Sequence, residues 1–388
     1  MLKIEMTVNN PLNPSKLAKI SDGSGNSQSQ FIRLLDALKR YGPRNLSLLS
    51  MVTGIPRETV RYKVKKQLRE LGFRINMIPN LYRMGLTRQL ARIRFTDDGL
   101  RIARRLLHEL GKESYLTYHC KIAFKNEYLA ILTPPQRYSN LFREYFEDLE
   151  RGGIIQDFEI RGVTEVGYPH VSYQLFNFEQ GVWKIPDKEY DCEVCDVVVQ
   201  KASADEQTNY LIDSLDLSII TELLNDAFVP MTRISPSEKR DPRLLRYHFQ
   251  EHIVRKGLIA GYVIGWYPAG VTDPSIAKMW LEIRCGTRKV VEELFRKFIS
   301  TPYCKFYQVL DDDTFVIFLE IYKQFRTAIK YMSNKLSKSS VEGEIYIIED
   351  ADAYALTREL FRDGYGWIKT ELKKIPPLHE ESLAREVT

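Results

Sequence analysis

The sequence predicts an α+β fold, a tandem repeat in which a winged helix-turn-helix is followed by a ferredoxin-like βαββαβ domain. Three observations predict it. A basic amphipathic stretch at 57–72 follows a tight Gly54-Ile55-Pro56 turn. The hydrophobic pattern over 86–180 alternates strand, helix, strand, strand, helix, strand. Landmarks of the first half also return 185 positions later: Arg61 and Arg246, Tyr62 and Tyr247, Gly72 and Gly257, Tyr82 and Tyr267, Gly85 and Gly270, Leu175-Phe176 and Leu360-Phe361. Shared offsets at separated landmarks indicate an internal duplication.

Taken in order, residues 1–29 read as a flexible tail, punctuated by Pro11 and Pro14 and by the polar run 22–29. Residues 30–84 form winged helix-turn-helix 1. Phe31, Leu34, Leu35 and Leu38 share a helix face, Gly42-Pro43 stops that helix, and a short helix follows over 46–52. The basic helix places Val60, Val64, Leu68 and Leu71 on one face, with Arg57, Arg61, Lys65, Lys66 and Arg69 around the rest. Residues 73–78 alternate as a wing strand.

Residues 85–181 form ferredoxin-like domain 1, with strands over 90–95, 115–124, 128–132 and 155–163 and helices over 100–110 and 138–149. An acidic linker spans 182–211, within which Val197-Val198-Val199 could add a strand. Winged helix-turn-helix 2 spans 212–267 and ferredoxin-like domain 2 spans 268–366, with a C-terminal tail over 367–388. The second copy has helices over 215–224 and 244–255, a wing over 258–266, then strands over 279–284, 306–310, 314–321 and 344–348 and helices over 290–298 and 325–336.

A chain of 388 residues, 44% hydrophobic, has the apolar content for several cores, and its net charge of +5 allows attraction to polyanions without demanding it. Five cysteines suit a reducing compartment better than a disulfide framework. With apolar runs no longer than a strand, the sequence-based expectation is a cytoplasmic protein without membrane spans.

The stretch Asp213-Ser214-Leu215-Asp216-Leu217-Ser218-Ile219-Ile220, followed by Gly257-Leu258-Ile259-Ala260-Gly261-Tyr262 and Gly270, resembles the opening of the Lrp/AsnC family. Thr59-Val60-Arg61 is similar to the start of that family's recognition helix. The resemblance implies a transcription regulator and not an enzyme, a fused pseudo-dimer of two Lrp-like halves. It further implies double-stranded DNA as partner, a small-molecule effector at the ferredoxin-like domains, and a monomeric pseudo-dimer or homodimer. Both copies are one residue longer than the family pattern before the glycine, and neither matches its effector loop.

On this reading Arg57, Thr59, Arg61 and Tyr62 read bases in the major groove, while Lys65, Lys66 and Arg74 hold phosphates. Arg243, Arg246 and Tyr247 keep the second copy basic, although Pro230, Pro236 and Pro242 leave little room for its middle helix. His248-Phe249-Gln250-Glu251-His252 matches the H-x-x-E-H zinc pattern. Phe249 takes the core place of Val64, however, which puts both histidines at the surface. Cys192-Glu193-Val194-Cys195 is a single C-x-x-C, weak as a metal motif. No cofactor or metal is therefore expected. The aromatic residues of the ferredoxin-like halves read as core rather than as an RNA-stacking surface.

Two alternatives share the architecture. One is a tetrapyrrole decarboxylase of the siroheme type, for which neither half shows an arginine- and histidine-rich signature. The other is a protein-binding adaptor with degenerate helix-turn-helix units.

Overall fold

Helix α1 (Gly25–Tyr41) buries Phe31, Leu34, Leu35 and Leu38, the face its spacing predicts. The computed structural model describes residues 25–170, 173, 176–177, 182–183, 197–202, 212–234, 241–266, 276–284, 295–296, 298–299, 301, 303–311, 314–322, 325–338, 341–356 and 358–372. The predicted helix over 290–298 and the Cys192/Cys195 pair lie wholly or largely outside them. Helix α2 (Leu46–Thr53) starts where the Asn45 side chain accepts the Leu48 N–H at 3.0 Å, and it stops at Gly54, left-handed at φ 68°. The basic stretch, α3, runs Arg57–Tyr62, widens into a π-helical turn at Lys63–Gln67 and ends at Leu68–Glu70. Its Val60, Val64, Leu68 and Leu71 are buried.

Strand β1 (Phe73–Pro79) follows, and then a ferredoxin-type run: β2 (Gln89–Phe95), α4 (Asp97–Glu113), β3 (Leu116–Ile122), β4 (Glu127–Leu132), α5 (Leu141–Arg151) and β5 (Ile155–Pro169). Within the stretch read as linker, β6 (Val197–Lys201) pairs with the end of β5. The second half opens with α6 (Ser214–Asn225), a single 3-10 turn at Met231–Arg233, and α7, which runs Pro242–Tyr247 and continues π-helical over His248–Val254. It proceeds through β7 (Ile259–Trp266), β8 (Ile276–Arg284), β9 (Cys304–Leu310), β10 (Phe315–Tyr322), α8 (Phe325–Ser337) and β11 (Glu342–Ala353).

The predicted fold class requires correction. Two self-contained units in tandem are not what the chain forms. Its strands run in the order β9-β10-β8-β11-β3-β4-β2-β5, and β5 then pairs with β9, closing one eight-stranded antiparallel barrel. The joins are β11 on β3, from Ile348↔Ile122 to Ala353↔Tyr118, and β9 on β5, from Tyr307↔Gly167 to Leu310↔Val163. A four-stranded sheet leaves two edges with unpaired backbone groups, and closure removes all four at once. Local strand patterns do not carry that information.

The two wings are likewise not wings. β1 and β7 pair antiparallel from Phe73↔Trp266 to Ile78↔Gly261, forming a shared ribbon between the helical modules. Asn76 donates its side-chain amide to the carbonyls of Leu224 and Asn225 at 2.8 and 3.0 Å, and Ala227 N–H donates to Ile75 O at 2.8 Å. The chain's end crosses back as well. Tyr115 Oη donates to Ile368 O and Trp367 Nε1 donates to Met84 O, both at 2.6 Å. The halves are interlocked.

The barrel bore is filled by side chains. Trp280, Phe306 and Phe318 pack together, the last two stacked at 5.1 Å, over Leu90, Cys120, Leu129, Ile131 and Val316. Outside, α4 and α5 cover the first half's strands with Leu106, Leu107, Leu110, Phe142 and Phe146. In the second half, α8 covers Met279 and Leu281 with Ala328 and Met332.

Candidate functional site

Where β3 and β11 meet under α4, two histidines and a tyrosine converge beside Asp350 and Asp352. His119 sits in the middle of β3, opposite Asp352, and is 2% exposed. Tyr354 lies just past β11, fixed there by its backbone N–H donating to Thr117 O at 2.8 Å. His108 projects from the last turns of α4. The Tyr354 hydroxyl bridges the two imidazoles, 2.9 Å from His108 Nδ1 and 3.1 Å from His119 Nε2, and its ring stacks on that of His119. The helix comes this close because position 111 is glycine: a Cβ there would lie 2.3 Å from the Tyr354 ring.

Electrostatics sets the protonation states. Burial outweighs the attraction of Asp352 and Asp350 and holds the His119 imidazole down at about 4, so it is neutral at physiological pH. Burial, with Asp352 adding to it, pushes the Tyr354 hydroxyl well above its ordinary value. A tyrosine hydroxyl has one proton to give and two lone pairs to offer. Bridging two imidazoles, it donates to one and accepts from the other, which makes His108–Tyr354–His119 a three-member proton chain. His119 Nδ1 is buried and has no hydrogen-bond partner among the described residues. Such a chain suits general acid–base chemistry.

The approach to the chain is cationic. Arg101, Arg104 and Arg105 are exposed on α4 and precede His108 at helical spacing, forming a stripe that leads to Tyr354. Arg104 pairs with Asp350 at 3.0 Å and Arg101 with Asp98 at 3.6 Å, both across exposed surface where pairing is weak and exchangeable. Guanidinium groups in such a row suit carboxylates.

None of these residues was singled out from sequence. The segment 100–110 reads as a packing helix, and Tyr354 is 246 residues from His108. The signal present in the sequence is Arg101, Arg104, Arg105 and His108 at helical spacing on one helix.

The predicted DNA contacts lie on two helices and one strand. Arg57, Arg61, Tyr62, Lys65 and Lys66 are exposed on α3 and Thr59 is half-buried, with Arg61 paired to Glu58 at 3.2 Å. Arg74, the supposed wing residue, is half-buried in the β1–β7 ribbon opposite Gly265. Arg243, Arg246 and Tyr247 are exposed on α7. A π-helical turn interrupts α3, the second module has only a 3-10 turn where its middle helix was sought among the described residues, and both wings are consumed in pairing. The H-x-x-E-H reading also changes. Glu251 is paired to Arg255 at 2.8 Å, and His248 is buried rather than at the surface.

Elsewhere, an open cleft of about 640 Å³ at the barrel mouth is lined by Arg94, Phe124, Lys125 and Glu127. Its arginine is already held by Glu127 and Asp157. Among the described residues no helix is long and apolar enough to cross a membrane.

No family model matches the sequence, and no curated protein is similar to it in sequence. In structure the chain is similar to the siroheme decarboxylase NirDL in complex with an iron-uroporphyrin III analogue, with TM-score 0.50 at 9% identity over 84% of this chain and 93% of that one. It is similar to a second structure of the same decarboxylase at TM-score 0.49, 9% identity, 85% and 94% coverage. An anthrone oxidase-like protein follows at TM-score 0.30, 7% identity, 72% and 96% coverage, too distant to carry an argument.

These comparisons overturn the expectation of an Lrp/AsnC-type transcription regulator that is not an enzyme. The fold matched over 84% of this chain is one that a decarboxylase also has, and no family model or curated sequence points to a transcription regulator.

Proposed function

We propose that this protein is an enzyme that decarboxylates a polycarboxylate tetrapyrrole, in the manner of the siroheme decarboxylase whose fold it shares. The observation that carries the reading is the His108–Tyr354–His119 chain at the end of an arginine stripe. Loss of CO2 from an acetate side chain leaves an electron pair on the former methylene carbon, and the reaction is complete only when that carbon receives a proton. Tyr354 stands where it can deliver one and be reprotonated through His108, while neutral His119 holds the phenol in line. Arg101 and Arg104 bind the flanking carboxylates and orient the one that leaves. The net change is one carboxylate and one proton in, one methyl group and CO2 out.

The test is a titration of the purified protein with an iron uroporphyrin, followed in the Soret region, together with turnover. Tyr354→Phe is expected to keep the Soret change and lower kcat by about 10²–10⁴-fold. Arg104→Ala is expected to raise KM with a smaller effect on kcat. Absence of any Soret change in the native protein would remove the reading.

A further inference from the structure

The second helical module contains a buried carboxylate that its duplicate lacks. Asp216, in the first turn of α6, is 0% exposed. Both its oxygens face imidazoles of the π-helical stretch: Oδ1 lies 2.9 Å from His248 Nδ1, and Oδ2 lies 3.2 Å from His252 Nδ1. Asp213, the N-cap of α6, receives the Leu215 and Asp216 N–H groups on Oδ1, and its Oδ2 turns to His248 Nδ1 at 3.5 Å. The two imidazole rings are 4.3 Å apart. One donor atom from each of the four side chains falls within 4.8 Å of every other.

The first half shows what this position holds without a carboxylate or an imidazole. The residues 185 positions earlier are Gln28, Phe31, Lys63 and Gln67. Phe31 is 1% exposed, with Lys63 Nζ 5.7 Å over its ring and 3.4 Å from Gln67 Oε1. Where one copy has an aromatic ring beneath a lysine and a glutamine, the other has two carboxylates and two imidazoles. Taking a carboxylate fully out of water is costly unless a cation compensates it.

We propose that Asp213, Asp216, His248 and His252 form a four-ligand site for a divalent first-row transition metal, with zinc the best match to the donor set. Zinc–nitrogen and zinc–oxygen bonds of about 2.0–2.2 Å place the ligand atoms of a tetrahedron about 3.3–3.6 Å apart. Of the closest separations, 3.5 Å falls inside that range, while 3.2 and 2.9 Å fall below it and run to different oxygens of Asp216, so an ion seats after a small shift that spreads the ligands around it. Two carboxylates neutralise a divalent ion, and two imidazoles favour a transition metal over calcium or magnesium. His248 and His252 stand one turn apart in a π-helical stretch that the first copy also has at Lys63–Gln67, so what distinguishes the second copy is its side chains. With four protein ligands the site is closed, so its role is to clip α6 to α7. It belongs to different elements from those of the proton chain. Glu251, the base of the H-x-x-E-H pattern, has no part in it.

The experiment titrates full-length, chelator-treated protein with Co2+ and then Zn2+. The site predicts one equivalent of Co2+ bound with the visible absorption of a four-coordinate complex, its displacement by Zn2+, and a rise in Tm on metal addition. Asp213→Asn retains the helix cap, since asparagine caps as well as aspartate, and His252→Gln alters a half-exposed residue. Each is expected to weaken metal binding by about tenfold or more. Glu251→Gln is expected to bind as the native chain does. Failure of the native protein to bind a stoichiometric metal, or equal binding by Asp213→Asn and His252→Gln, overturns the proposal and leaves a metal-free hydrogen-bonded cluster.

Discussion

Gly111 is the residue on which the proton chain depends for space. Its missing side chain lets the Tyr354 ring lie against α4, and a Cβ there would stand 2.3 Å from that ring. Gly111→Ala is expected to displace the ring and break its contact with one imidazole. Activity should fall further than stability, whose loss should be about 1–3 kcal/mol, as read from thermal melts and turnover. His119 gives a separate prediction. Its folded value of about 4 lies below the ordinary 6.5, so between these values the unfolded chain binds more protons. Stability is then full above about pH 6.5, falls as the pH drops toward 4 and loses nothing more from this group below that, a contribution on the order of 3 kcal/mol. Denaturant melts of His119→Gln across that window should show a flatter pH dependence than the native chain.

At the scale of elements, the barrel seam between β5 and β9 is made by a glycine facing an aromatic ring. Tyr307 lies across Gly167, where a Cβ would sit 2.1 Å from the ring, and its hydroxyl donates to Glu165 at 2.8 Å. Gly167→Val is expected to open that seam, lowering Tm and exposing apolar surface to a dye such as ANS. The seam also marks the limit of what local pattern can reveal. Val60, Val64 and Leu68 could be placed on one face from their spacing alone, and the ferredoxin-type succession of strands and helices could be read from alternation and periodicity. Which strand edges meet could not. The pairs Tyr307↔Gly167, Ile348↔Ile122 and Phe73↔Trp266 join residues far apart in sequence, and nothing in either local pattern names the other. The candidate site was hidden for the same reason. His108 and Tyr354 belong to different halves and meet only because β11 closes against β3. His248 and His252 were legible as a pair, but Asp216 passes in sequence for an ordinary capping residue.

At the scale of the whole molecule, duplication has produced one interlocked body. The barrel takes four strands from each half, the β1–β7 ribbon takes one from each, and Trp367 of the second half is anchored on Met84 of the first. A chain interrupted near residue 190 is therefore expected to remain a single assembly on gel filtration and to melt in one transition. Either half alone would expose two open sheet edges and should not fold cooperatively. The duplication also explains how the halves could specialise. Phe31, Lys63 and Gln67 in one copy stand where Asp216, His248 and His252 stand in the other.

Whether Tyr354, held between His108 and His119, protonates a decarboxylated tetrapyrrole side chain is read by mass spectrometry of an iron uroporphyrin incubated with the native protein and with Tyr354→Phe. The native chain is expected to yield product lacking one or more molecules of CO2, and the variant to hold unaltered tetrapyrrole. Product formed equally by both, or by neither, rules that role of Tyr354 out.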